Sequence, residues 1–269
     1  MQTQTETAYE IQPDTRIAIH KGIKMPILGF GTFRLDAGAE TEGPVLNALN
    51  SGYRLVDTAA VYRNEADVGR AIRDSGIPRE DIFVTTKLWK DAHGADRARD
   101  AFNKSLDALK TDYIDLYLIH WPDGGNLVET WETMIELVQG DTCRAIGVSN
   151  FRKEHIEEIT RATSVRPSVN QIKFNVYEYP QELAEYCMIN NIAVEAYSPL
   201  GQGKYDPDER LKSIAVKLGR STAQVMLRWI LQKGIIAIPR SSQQQHIAEN
   251  MDVFGFAIPR DDMMVLDSI

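Results

Sequence analysis

Two periods of apolar positions take turns along the chain. Short apolar runs of strand length alternate with stretches on helical spacing. A first pair of runs, "RIAIHKGIKMP" (16–26), reads as a hairpin turning at Lys21 and Gly22. Eight strand-like runs come after it: "ILGFGT" (27–32), "YRLVDTA" (53–59), "DIFVTTK" (81–87), "YIDLYLIH" (113–120), "RAIGVSN" (144–150), "PSVNQIKF" (167–174), "IAVEAYSPL" (192–200) and "IIAIPRS" (235–241). Helical stretches separate them at 41–52, 65–76, 95–110, 126–140, 152–162 and 180–191. Two more, 208–219 and 222–234, precede the last strand; 243–251 comes after it, and "PRDDMMVLDSI" reads as a final helix. Gly52 closes the first helix and Pro180 opens the sixth, each where its backbone preference suits that end.

Several strands are nearly unbroken apolar runs, as expected where both faces are buried. Eight strands, each followed by helix, predict an α/β fold: a single (β/α)8 TIM barrel with a short N-terminal β-hairpin. Residues 16–269 form one barrel domain in this reading, and 1–15, "MQTQTETAYEIQPDT", a disordered tail. A doubly wound open sheet is the alternative. It calls for a G-x-G-x-x-G turn after the first strand, and both "GFGTFR" (29–34) and "GQGKYD" (201–206) lack the third glycine.

Composition alters this picture little. A net charge of -8 and a pI near 5.2 exclude non-specific binding to nucleic acid or anionic membrane. No apolar run is long enough to span a bilayer, and the polar N-terminus lacks a signal peptide's apolar core. Cys143 and Cys187 form no disulfide or metal pattern. A cytoplasmic protein without an obligate protein partner, a monomer, is the expectation.

Chemistry enters at one rim. A barrel of this class carries its active site at the C-terminal ends of its strands. Those ends hold Thr32, Asp57, Lys87, His120, Ser149 and Asn150, Gln171, Tyr197 and Ser198, and Arg240 and Ser241. Taken singly, Asp57 could cap a turn, His120 could be structural, and Ser149 and Asn150 could cap a helix. Their recurrence at successive strand ends is what a core does not require. Tyr62 lies five residues beyond Asp57. A phenol titrates near pH 10, a nearby ammonium lowers that value, and a carboxylate can hold the ammonium. Asp57, Tyr62, Lys87 and His120 thus form a candidate proton donor with oriented polar neighbours, suited to reduction of a carbonyl. The hydride must come from a bound nicotinamide. Tyr197 could stack on its ring, and Ser149, Asn150 and Gln171 could bond its carboxamide. "IPRSSQQQHIAEN" (238–250) enters a helix and could take phosphate on backbone N–H groups.

The chain resembles the aldo-keto reductase family from about Ile17 to Ala257. The resemblance rests on "GFGTF", "YRLVDTAAVYRNEADVGRAI", "FVTTKLW", "DYIDLYLIHWP", "IGVSNF", "NQI", "AYSPLG" and "IPRSS…AEN" together. Its wording is nearest to small bacterial members that look like 2,5-diketo-gluconate and methylglyoxal reductases. The resemblance implies a catalytic tetrad at Asp57, Tyr62, Lys87 and His120. It implies NAD(P)H contacts at Thr32, Asp57, Ser149, Asn150, Gln171, Tyr197, Ser198, Leu200, Arg240, Ser241, Ser242, His246, Glu249 and Asn250. It also implies a substrate pocket at Phe33, Tyr62, Trp89, His120 and Trp121. Arg240 and His246 stand where the family commonly has lysine and arginine to hold the adenosine 2′-phosphate. An arginine fork suits phosphate, whereas an imidazole is mostly neutral at pH 7, so NADPH is expected to be preferred with NADH usable. The connection after Leu200 and the C-terminus are both short for the family, so an open pocket is expected.

Two other functions compete with carbonyl reduction. A catalytically idle, cofactor-binding regulatory relative would not need the intact tetrad. A barrel hydrolase would need a nucleophile elbow, paired carboxylates or metal ligands. No G-x-S-x-G occurs, and His20, His93, His120, His155 and His246 are scattered without ligand spacing, so no metal is expected.

Overall fold

A computed structural model describes residues 11–269. Strands β1 (Arg16–His20) and β2 (Ile23–Pro26) pair antiparallel as the expected hairpin, with Lys21 and Gly22 both at positive φ in the turn. The barrel strands are β3 (Phe30–Gly31), β4 (Leu55–Asp57), β5 (Phe83–Leu88), β6 (Ile114–Ile119), β7 (Cys143–Ser149), β8 (Val169–Lys173), β9 (Ala193–Tyr197) and β10 (Ile236–Ala237). All eight run parallel in sequence order. A bridge between Leu28 and Ala237, with N–H···O bonds from Gly29 to Ala237, Ala237 to Ile27 and Gly31 to Pro239, joins the two edges into a barrel.

The two seam strands are shorter than their apolar runs suggest. Pro239 has no N–H to give the ladder, so β10 stops before it. The helices are α1 (Ala39–Asn50), α2 (Glu65–Asp74), α3 (Ala95–Leu109), α4 (Leu127–Gln139), α5 (Lys153–Thr163), α6 (Gln181–Ile189), α7 (Glu209–Leu218), α8 (Thr222–Gln232), α9 (Gln244–Met251) and α10 (Arg260–Leu266).

The apolar side chains sort into two cores. One fills the layer between barrel and helices, around Phe102, Trp131, Phe151 and Trp229. The other lies inside the barrel: Leu55, Phe83, Leu116, Leu118, Val169 and Ile236, with Ile19 and Met25 of the hairpin. Leu55, Phe83, Val169 and Ile236 each begin their strand, so the hairpin stoppers the N-terminal end. Gly147 in β7 belongs to this packing, since a Cβ there would lie 2.6 Å from the Val169 carbonyl oxygen. The expected tail falls partly outside the described residues (1–10). Of its remainder, Ile11 is buried in the outer core and Thr15 accepts from the Ile27 N–H, while residues 12–14 are exposed. Cys143 and Cys187 are buried free thiols. Among the described residues, no helix is long and apolar enough to cross a membrane.

Candidate active site

Polar side chains collect where β4, β5, β7, β8 and β9 end. Asp57 is the last residue of β4, and Lys87 lies near the end of β5 with no solvent exposure. A lysine buried this deeply must find acceptors for all three N–H groups. Its Nζ lies 2.6 Å from Asp57 Oδ1, 2.8 Å from the Thr58 carbonyl oxygen and 3.5 Å from the Tyr62 hydroxyl. The last distance is at the outer edge of a hydrogen bond.

The loop that presents Tyr62 is held by its backbone. Ala60–Tyr62 make one 3-10 turn, Arg63 takes the left-handed conformation, and buried Asn64 anchors the start of α2. Asn64 accepts from Thr58 Oγ1 at 2.9 Å and donates to the carbonyls of Thr32 and Leu35. Thr32 is itself buried, and its N–H and hydroxyl both donate to the Asp57 carbonyl oxygen. It therefore braces Asp57 from behind and does not reach into the cavity.

Burial raises Asp57, and the Lys87 charge with hydrogen bonds from Lys87 and Gln171 opposes the rise. For Lys87 burial works downward, but the charges of Asp57 and Tyr62 outweigh it and hold the ammonium above its usual value. The net effect on Tyr62 differs from the sequence expectation of a lowered phenol. Burial raises it more than the Lys87 charge lowers it, and Asp57 adds to the rise. Tyr62 therefore keeps its proton at neutral pH in the resting site. His120, buried and facing the Lys87 charge, is pushed down to about 3 and is a neutral imidazole. Its buried Nδ1 has no partner among the described residues.

Asp57, Tyr62 and His120 line a cavity of about 840 Å³, while Lys87 is buried off its wall. Phe33, Tyr62, His120 and Trp89 form a chain of rings along one side, with centroids 5.1, 5.7 and 5.1 Å apart. Trp121 also lines the wall, and both it and Phe33 are partly exposed at the mouth. Ser149, Asn150, Gln171 and Tyr197 line the cavity too, as do Ser198, Leu200 and Arg240.

Not all of the expected carboxamide donors are free to donate. Both amide hydrogens of Asn150 are taken up, by the His120 carbonyl and Ser149 Oγ at 3.0 Å each, and its Oδ1 accepts from the Tyr197 hydroxyl at 2.8 Å. Burial pushes Tyr197 up to about 12, which keeps that hydroxyl a donor. Gln171 Nε2 donates to Asp57 Oδ2 at 2.8 Å and to Glu195 Oε2 at 2.7 Å. What remains for a carboxamide is the Ser149 hydroxyl proton and the Gln171 carbonyl oxygen, one donor and one acceptor. That pair, the Tyr197 ring beside it and the Arg240 cation further along fit a nicotinamide dinucleotide.

Ser241, Ser242, His246, Glu249 and Asn250 lie beyond this cavity, on the loop after β10 and on α9. Ser241 Oγ accepts from the Gln243 N–H, His246 is exposed and Asn250 is buried. Asn64, Glu195, Gln202 and Lys204 escaped the sequence reading. Asn64 was visible as a cap-type residue just before a helix. Glu195 was visible as the acid in the middle of "AVEAY", an otherwise apolar strand. Gln202 and Lys204, also on the cavity wall, gave no signal beyond a loop.

Residues 27–269 match the family model described as the aldo/keto reductase family. The glyoxal reductase of Bacillus subtilis is 42% identical over 253 residues, covering 94% of this chain and 92% of that protein. The crystal structure of an aldo/keto reductase from Brucella melitensis superposes with a TM-score of 0.91 at 41% identity, covering 94% of this chain and 98% of the other. A mutant of the protein Gox0644, solved in complex with NADPH, gives a TM-score of 0.90 at 42% identity, covering 95% and 93%.

Proposed function

The chain belongs to the aldo/keto reductase family, and from that membership we propose that it reduces small aldehydes and ketones to alcohols with NADPH, Tyr62 giving the proton. The observation that carries the assignment of residues is the buried Lys87 ammonium, shared between Asp57, Thr58 and Tyr62, of which Asp57 and Tyr62 line the cavity. The reduced nicotinamide, when bound, supplies the hydride.

The chain's own groups do the rest. Ser149 and Gln171 fix the carboxamide, and Tyr197 backs the ring. His120, a neutral imidazole on the cavity wall, is a hydrogen-bonding group for the carbonyl oxygen and not an acid at neutral pH. As negative charge develops on that oxygen, Tyr62 passes it a proton. The Lys87 charge favours the phenolate left behind, and Asp57 keeps Lys87 in place. Phe33, Trp89 and Trp121 give the substrate an apolar wall. An idle, cofactor-binding relative is disfavoured by the intact set of four groups. Loss of NADPH absorbance in the near ultraviolet with a small aldehyde is the test; no turnover with any of a panel of small carbonyl compounds would refute the proposal.

Cofactor preference follows from the loop after β10. Arg240 makes one backbone hydrogen bond, from Nε to the Phe33 carbonyl oxygen at 3.1 Å, which leaves most of its fork for phosphate. Ser241, Ser242 and the first N–H groups of α9 lie next to it. No acidic residue stands in 240–246 to grip a bare 2′-hydroxyl. NADPH is therefore preferred and NADH remains usable. His246→Arg is expected to tighten NADPH without helping NADH. The ratio of kcat/KM for the two cofactors, in the wild type and in the Arg variant, checks both points; a strong wild-type NADH preference, or an unchanged ratio in the variant, refutes this reading of the loop.

A further inference from the structure

Glu195 is the acidic residue of β9, fully buried inside the barrel, and the proton chemistry described above does not use it. Its register partners are Gln171 on β8 and Ile236 on β10. Glu195 Oε2 accepts from Gln171 Nε2 at 2.7 Å, and the same nitrogen donates to Asp57 Oδ2 at 2.8 Å. This arrangement removes the usual ambiguity of an amide. Turned the other way, Gln171 would set its carbonyl oxygen against the Asp57 carboxylate, which can only accept. With both N–H bonds directed into the barrel, the carbonyl oxygen is the end left to the cavity that Gln171 lines.

We infer that Glu195 is a positioning residue for the cofactor: its carboxyl, with Asp57, locks the Gln171 amide so that the carbonyl oxygen accepts from the carboxamide nitrogen of the nicotinamide. The inference rests on the reading that this cavity takes a nicotinamide. It also ties Glu195 to the proton donor through a continuous line from Tyr62 to Lys87, Asp57, Gln171 and Glu195. The titratable groups facing Glu195 are Asp57 from β4, Lys87 from β5 and Tyr62 from the loop after β4, while β10 offers Ile236.

Burial and the Asp57 charge push Glu195 up to about 8. Its proton then sits on Oε1, which has no partner among the described residues, because Oε2 already accepts from Gln171. Below that pH the buried set of Asp57, Lys87 and Glu195 is neutral. Above it a second negative charge appears, and that charge strengthens the hold of Tyr62 on its proton.

The test uses the full chain, with NADPH binding followed by protein fluorescence in the absence of substrate. The probes are NADPH and its reduced acetylpyridine analogue, in which a methyl group replaces the amide nitrogen. Glu195→Leu is expected to weaken NADPH about fivefold, the worth of one hydrogen bond near 1 kcal/mol, and to leave the analogue's affinity unchanged. Glu195→Gln keeps the acceptor and should restore the wild-type affinity for NADPH. The wild-type kcat should fall as pH rises past about 8, where Glu195 ionises, and the Gln variant should lose that fall.

Equal losses for NADPH and the analogue in the Leu variant would reduce Glu195 to packing and overturn the inference. So would a wild-type pH profile in the Gln variant, a near-isosteric change that decides the matter alone if the Leu variant does not fold. A wild-type chain that binds no NADPH refutes the underlying reading instead. A wild-type chain that binds it, beside a Leu variant that binds it equally well, refutes only the role of Glu195.

Discussion

Tyr62→Phe should lower kcat for carbonyl reduction about 10²- to 10⁴-fold, the usual worth of a positioned general acid, while NADPH affinity stays near wild type. Only a hydroxyl is removed. The ring remains, and with it the contacts to Phe33 and His120. Tyr62 and His120 both stand at the cavity wall where a carbonyl oxygen would meet them, so the choice between them as donor rests on their proton affinities. His120 becomes imidazolium only near pH 3, because burial and the Lys87 charge both oppose it. At neutral pH it would have to give up the single proton of a neutral imidazole, a far poorer acid than a phenol beside an ammonium. Tyr62 holds its proton in the resting site because burial outweighs Lys87. The Lys87 charge, 3.5 Å away, favours the anion when the proton leaves. Single-turnover rates with NADPH in excess separate the chemical step from cofactor release. A Phe variant that kept most of the wild-type rate would sink the assignment of Tyr62.

The same residues show what a sequence can and cannot disclose. Apolar runs of strand length and capped helices made the eight βα units readable, because those signals are local. Strand ends could then be aligned at one rim by topology alone. Partnership across the barrel is not local. Gln171 meets Asp57 from 114 positions away, and no spacing rule connects them. Glu195 was in view as an acid among apolar neighbours, yet its meaning depends on which side chain of the next strand lies beside it. The expected lowering of Tyr62 failed for a related reason. A neighbouring cation can be read from a motif, but the desolvation that opposes it depends on the burial of Tyr62 in the folded chain, where its ring packs against Phe33 and His120. Asn150 carries the same lesson: its residue type suits a carboxamide contact, whereas its amide is already committed to the His120 carbonyl and Ser149.

Lys87→Met should impair the protein in two separable ways. The first is stability. Lys87 and Asp57 are both buried, and their 2.6 Å contact is what makes each tolerable there. Removing one member of a buried pair costs about 3–5 kcal/mol, because the other is left as an uncompensated charge. Gln171 and the Thr32 brace reach Asp57 or its backbone, but neither carries charge. Asp57 would escape by taking up a proton, since burial already raises it and the opposing Lys87 charge is gone. A carboxyl raised above its unfolded value gives stability that is lost as pH rises through the folded value. The Tm deficit of the Met variant should therefore be larger at pH 8 than at pH 5, a trend opposite to that of an acid held down by a cation. The second effect is on rate. Without the ammonium nothing favours the phenolate of Tyr62, so kcat falls and the apparent pKa of the donor moves up. Asp57→Asn should reproduce the rate effect more mildly, since it loosens Lys87 without removing its charge. Thermal melts and kcat profiles over the same pH range read both effects on one sample. If the Met variant melts with the wild-type pH dependence and keeps the wild-type rate profile, Lys87 neither neutralises Asp57 nor assists Tyr62.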